Sequence, residues 1–226
     1  MEYRVAAMFR HDRRGRMVVI NQWDEGRPPR FYLARTRGGN VWRIRADVDV
    51  PTARELEMLA RDEPPMQDSR FPPRHVAAYV GLLGNDAESA AWETSPIYWF
   101  DHEPSPVGDT IVVDGTNSRL LHGGLESWLP DIPYRQPMVA VVEDGRAVSI
   151  CASVRIGGRS HEAGVETLPA YRRRGHAVSV VAGWAREVRR RGIGTLFYST
   201  SWENVASQAV ANRLGLTMIG ADFSIE

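Results

Sequence analysis

The chain has 226 residues with 28 basic and 28 acidic side chains, so its formal net charge is zero. That length suits one large domain or two small ones, and neutrality leaves no whole-protein field to gather nucleic acid or an anionic membrane surface. Every basic residue is an arginine, which excludes a Walker-type phosphate loop and lysine Schiff-base chemistry, since both need a lysine amine. No apolar run approaches the roughly 18 residues of a membrane span, and Met1-Glu2-Tyr3-Arg4 lacks the apolar core of a signal peptide. The expectation is a cytoplasmic protein with no membrane partner. Cys151 is the one cysteine, which rules out an intrachain disulfide and a cysteine zinc cluster. Its apolar strand context predicts a buried, inert thiol.

In chain order, residues 17–24, 30–36 and 41–46 read as strands, separated by turns at Gly26-Arg27-Pro28-Pro29 and Gly38-Gly39-Asn40. Pro51 to Ala60 reads as a helix with Thr52 as its cap, and Leu56, Leu59 and Ala60 supply its apolar side. Two proline pairs, Pro64-Pro65 and Pro72-Pro73, flank a loop. A short helix over 74–83 follows, closed by Gly84-Asn85, and then a strand over 95–100. Pro104, Pro106 and Gly108 mark a boundary between an N-terminal region, 1–105, and a C-terminal domain, 107–226. Trp23, Tyr32, Trp42, Trp92 and Trp99 read as core of the first region, with a ligand groove as the alternative. His11, His75, His102 and His122 show no metal-ligand spacing, so no metal is expected.

The second half opens with a strand at 111–113 and a helix over 117–129 carrying Leu120, Leu121, Leu125 and Trp128 on one side. Strands at 138–142 and 147–155 are joined through Asp144-Gly145, a strong hairpin signal. After them come a strand at 160–168, a helix from Gly175 to Gly192, a strand at 195–201, a helix at 204–214 and a final strand at 217–225. The fold class is α/β (α+β): a mixed sheet flanked by helices in the C-terminal half, preceded by a smaller α+β region.

The stretch 162–178 carries the chemistry. Val165-Glu166-Thr167-Leu168 favours a strand, and Pro169 ends it because it cannot donate a ladder hydrogen bond. Arg172-Arg173-Arg174 follow, and Val178, Val181, Ala182, Ala185 and Val188 then recur at helical spacing. Gly175 and Ala177 therefore fall at a helix tip, with unpaired N–H groups and about half a positive charge. Small residues there let a phosphate approach the backbone, and guanidinium groups fit diphosphate oxygens in a fixed fork. The alternative is a solvated basic turn or a nucleic-acid contact.

The pattern Arg172-x-x-Gly175-x-Ala177, after a strand and Pro169-x-Tyr171, resembles the acyl-CoA pyrophosphate loop of the GNAT N-acetyltransferases. Asn204, Ser207 and Leu214-Gly215-Leu216 resemble the last motif of that superfamily. The close resemblance spans about residues 139–216, with a looser one back to about 107. Residues 1–105 resemble no family. The resemblance implies direct acetyl transfer from acetyl-CoA to an amine, in a small molecule or a protein. It implies that Val165, Glu166 and Thr167 offer backbone groups to the pantetheine arm, and that Arg173, Arg174, Gly175, His176, Ala177 and Val178 form the diphosphate loop. Asn204 is expected to touch the cofactor arm. Glu162, upstream on the same strand, is the candidate general base, with His161 as rival and a solvated strand-edge carboxylate as the alternative. Ser199 stands where some members carry a catalytic carboxylate, and Ala211 where many carry a tyrosine. A second reading is therefore an acyl-CoA-binding sensor without turnover. A third, a nucleic-acid binder, is discouraged by the charge balance. Oligomeric state is open, a homodimer among the alternatives.

Overall fold

The computed structural model describes residues 1–84, 91–105 and 107–226. Asn85 and Pro106, which the sequence places in a helix stop and a linker, lie outside them. The chain divides into two compact units: Met1–Tyr98 with Ser199–Asn204 and Met218–Glu226, and Trp99–Tyr198 with Val205–Thr217.

In the first unit, α1 (Glu2–Met8) leads into the antiparallel pair β1 (Phe9–His11) and β2 (Met17–Ile20). Strands β3 (Phe31–Thr36) and β4 (Gly39–Ile44) follow, then helices α2 (Val50–Asp62) and α3 (Val76–Leu83) and strand β5 (Trp92–Trp99). Asp49, not Thr52, caps α2: its carboxylate accepts the Thr52 N–H at 3.0 Å. Pro51 supplies no N–H in that first turn, and the residue whose acceptor reaches the next free amide becomes the cap. The apolar core joins Phe31, Leu33, Leu56, Tyr79, Phe223 and Ile225. Of the five aromatics expected in it, Tyr32 is buried and Trp42 packs against it, whereas Trp23, Trp92 and Trp99 are 39–44% exposed.

In the second unit the elements are β6 (Ile111–Val112), β7 (Met138–Glu143), β8 (Arg146–Ile156), β9 (Ser160–Thr167), α4 (His176–Arg190), β10 (Thr195–Ser199) and α5 (Val205–Arg213). The final strand, β11 (Thr217–Ile225), pairs antiparallel with β3. Strand order in the second unit is β10-β9-β8-β7-β6, with β9 and β10 parallel and the others antiparallel. The sheet is mixed and helices flank it, as the sequence pattern predicts. The helix expected over 117–129 is instead two 3₁₀ segments, Ser118–Leu121 and Glu126–Asp131. Gly123 and Gly124 between them take φ of 103° and 133°, which no α-helix accommodates. Their leucines and Trp128 still cover one sheet face, packing on Met138, Ile150 and Ala152.

Helix α4 covers the opposite face. Val181, Ala182, Trp184, Ala185 and Val188 are all fully buried, each larger side chain stabilising the unit by about 1.5–3 kcal/mol. Gly183 sits in that face because a Cβ there would lie 2.6 Å from Thr110 Oγ1. Cys151 is fully buried on β8, and burial pushes its thiol well above the ordinary range. No helix among the described residues is long and apolar enough to cross a membrane.

Candidate active site

Strand β9 changes character along its length. Its parallel register with β10 pairs Ser160 with Thr195 and ends at Ala163 with Tyr198, while its pairing with β8 continues to Thr167. Burial follows: Ser160 to Ala163 are buried, and Gly164 onward are partly or fully exposed. The Leu168 N–H donates to Val148 O at 3.0 Å, which fixes the phase of the β8–β9 ladder. In an antiparallel pair the bonded positions alternate, so Glu166 and Gly164 face β8. Val165 and Thr167 turn their backbone groups the other way, to the side β10 has left. The Thr167 carbonyl accepts Arg172 Nε at 3.2 Å.

Beyond Thr167, a 3₁₀ turn, Pro169–Tyr171, leads into the arginine run. Arg173 takes φ of 63° and Gly175 φ of 90°, reversing the chain so that α4 starts at His176. Among the described residues no side chain caps this tip. The first ladder bond is Ser179 N–H to Gly175 O at 3.1 Å, so the amides of His176, Ala177 and Val178 have no intrahelical acceptor. Among the described residues nothing lies within 4 Å of where a Gly175 Cβ would stand. A helix tip of this kind, uncapped, sterically open and positive, fits a diphosphate.

Side chains brace the turn. Tyr171 lies between two guanidinium groups, Arg174 at 5.0 Å and Arg146 at 5.6 Å from its ring centre, and its hydroxyl accepts Arg146 Nη2 at 2.9 Å. Glu143, the last residue of β7, places its carboxylate 2.9 Å from His176 Nε2 and 3.6 Å from Arg174 Nη1. Sequence reading missed Glu143, which lies over 30 positions upstream and reaches the turn only through the β7–β8–β9 order. Arg173 is exposed.

Glu162 is 4% exposed, between Arg155 of β8 and Phe197 of β10; it is not a solvated edge carboxylate. His161 is 6% exposed, its Nδ1 2.8 Å from Ser153 Oγ, which accepts the Trp184 indole N–H at 3.0 Å. Burial first, then the charge of Arg191, brings its pKa down to about 4. Neighbours on a strand face opposite ways, so His161 belongs to the face covered by α4 and Glu162 to the other. Glu166 is anchored by the Trp128 indole N–H at 2.6 Å. The structure thus gathers Glu162, Val165, Glu166 and Thr167 on one strand and Arg173 to Val178 on the turn it feeds. Asn204 is exposed and its N–H donates to Ser201 O at 3.2 Å. Ala211 is fully buried. Among the described residues no group of three or more His, Cys, Asp or Glu side chains could hold a metal ion.

Comparison with known proteins places this geometry. Residues 139–221 match the family model described as GNAT acetyltransferase. No curated protein matches the chain. Among solved structures, a GNAT-family protein from Novosphingobium aromaticivorans superposes with a TM-score of 0.50 at 17% identity, over 60% of this chain and 64% of its own. The chain therefore spans just under two thirds of that protein's length. An acetyltransferase of the GNAT family from Colwellia psychrerythraea gives a TM-score of 0.50 at 16% identity, over 82% of this chain and 76% of its own. At such identities the likeness is one of fold. Residues 139–221 thus match the GNAT acetyltransferase family model, within a fold that both solved proteins share.

Proposed function

We propose that the domain transfers an acetyl group directly from acetyl-CoA to a primary amine of a small molecule or a protein. One observation carries this reading: a single strand–turn–helix offers outward backbone groups at Val165 and an uncapped helix tip at Gly175. Bound acetyl-CoA supplies an activated thioester. The amides of Gly175, His176, Ala177 and Val178, with Arg173 and Arg174, hold the diphosphate oxygens. Val165, with Glu166 and Thr167 beside it, aligns the pantetheine amides as an added strand would.

An alkyl amine has a pKa of roughly 10, so it must lose a proton before it attacks. Glu162 takes that proton, directly or through water. It stands one residue before the last position at which β9 still has a β10 partner. His161 is the poorer candidate, because Ser153, which itself accepts the Trp184 indole, holds its ring on the α4 face. Ala211 offers no proton to the departing thiolate, which water then protonates. Ala211 also favours the second reading, a domain that binds acyl-CoA without turning it over.

Calorimetry with acetyl-CoA, followed by thiol release against a panel of amines, separates these outcomes. Saturable binding with amine-dependent release is expected. Binding without release supports the sensor, and no binding overturns both.

A further inference from the structure

We propose that the N-terminal unit carries a separate binding site for a small, doubly negative molecule, in a cavity of about 670 Å³ bordered by β4, α2 and the β1–β2 turn. The site is independent of the acetyl-transfer reading.

Charge is the first observation. Four arginines, Arg14, Arg16, Arg43 and Arg61, line the cavity against two carboxylates, Glu2 and Glu57. Arg43 pairs with Glu2 at 2.6 Å and Arg16 lies 3.8 Å from Glu57. Among the described residues no carboxylate lies within ion-pair distance of Arg14 or Arg61. Within the lining two positive charges are in excess, and Asp12, next to Arg14 and Arg16, offsets part of that. His11, also in the lining, adds none near neutrality, because burial and then Arg43 lower its pKa.

Polar atoms are the second. His11 Nε2 and Asn40 Oδ1 are buried and, among the described residues, have no hydrogen-bond partner. The Asn40 amide is oriented without ambiguity: its Nδ2 donates to Glu63 O at 2.7 Å and to Pro64 O at 3.2 Å, so the atom left over is the acceptor. Neither atom is open to solvent, so a ligand reaches them only where neighbouring side chains shift.

The backbone is the third. β4 is the end strand of its sheet. The Arg45 N–H donates to Arg30 O at 3.0 Å, which sets the phase of the β3–β4 ladder. By alternation Val41 and Arg43 bond to β3, while Asn40 and Trp42 turn their N–H and C=O groups outward along the cavity; beyond them Met17 bridges the strand at Arg45, and the Trp42 carbonyl accepts Arg43 Nη1 at 2.7 Å.

These features define the ligand: two negative charges for Arg14 and Arg61, and a body small enough for the cavity. A phosphate monoester and a hydroxydicarboxylate share that chemistry, since guanidinium pairs with both. Calorimetry on the full chain at low ionic strength, with AMP and malate as probes, tests the site and separates the two. At least one is expected to bind saturably, and the Arg14→Ala/Arg61→Ala double variant should weaken it by about tenfold or more. Both arginines are exposed, so the variant should keep its thermal midpoint, and acetyl-CoA affinity should not change. The proposal fails if neither probe binds, or if the double variant binds as tightly.

Discussion

Ser153 on β8 holds His161 of β9 by a 2.8 Å contact to Nδ1 while accepting the indole of Trp184 on α4. One hydroxyl thus ties together two strands and the helix that covers them. His161 stays neutral there, with its pKa down at about 4 against an ordinary 6.5.

Linkage gives that shift a sign. The unfolded chain protonates this histidine below pH 6.5 and the folded chain only near pH 4. Stability is therefore full above about pH 6.5, falls as pH drops, and levels off below about pH 4, a loss of about 3 kcal/mol from this group. Urea denaturation between pH 7.5 and 4 should show the slope, and His161→Gln should flatten it. An equal slope in the variant would assign the acid sensitivity to other groups.

Replacing Glu162 with Gln keeps its shape and removes its basicity. A fall in kcat of roughly 100-fold is expected, with the KM for acetyl-CoA nearly unchanged. Raising the pH, which deprotonates the amine in solution, should recover part of the loss. Full turnover in the variant would take Glu162 out of the reaction.

Gly175 and Gly192 make a matched pair. Their φ values are 90° and 82°, and neither has an atom within 4 Å of an added Cβ. Alanine at either position should cost about 1–2 kcal/mol of stability from the backbone alone. Only Gly175→Ala should also weaken acetyl-CoA, by about tenfold, because its methyl group stands before the helix tip. Equal affinities in the two variants would move the diphosphate elsewhere.

Gly164 is required for a different reason. A Cβ there would lie 2.3 Å from Val154 Cγ1 on the adjoining strand. Gly164→Ala should destabilise the unit by about 1–3 kcal/mol. Val154→Ala in the same chain should relieve much of that, which a double-mutant cycle by urea denaturation would register as strong coupling.

Much of the second unit could be read from local signals. The spacing of Val178, Val181, Ala182, Ala185 and Val188 gave α4, and Asp144-Gly145 gave the β7–β8 hairpin. Gly192, at positive φ just past α4, closes it where the sequence indicated. What escaped depends on distant partners. Helix α1 has no side-chain cap, and Arg4 within it is 1% exposed, paired with Asp222 at 3.0 Å. Nothing near residue 4 announces a carboxylate more than 200 positions away. The 117–129 segment kept its apolar side but lost its helix to two adjacent glycines. At the site, the arginine–glycine turn was visible as a motif, but Glu143 behind it was not. The parting of β9 from β10 is likewise a property of register, which no single stretch records.

The outward backbone row of β4 has one more consequence. An unprotected end strand invites a second chain to extend the sheet, and proteins commonly discourage this with charge along the border. Arg43, Glu2, Arg16 and Glu57 supply such a guard here, so neutralising them together should promote association edge to edge.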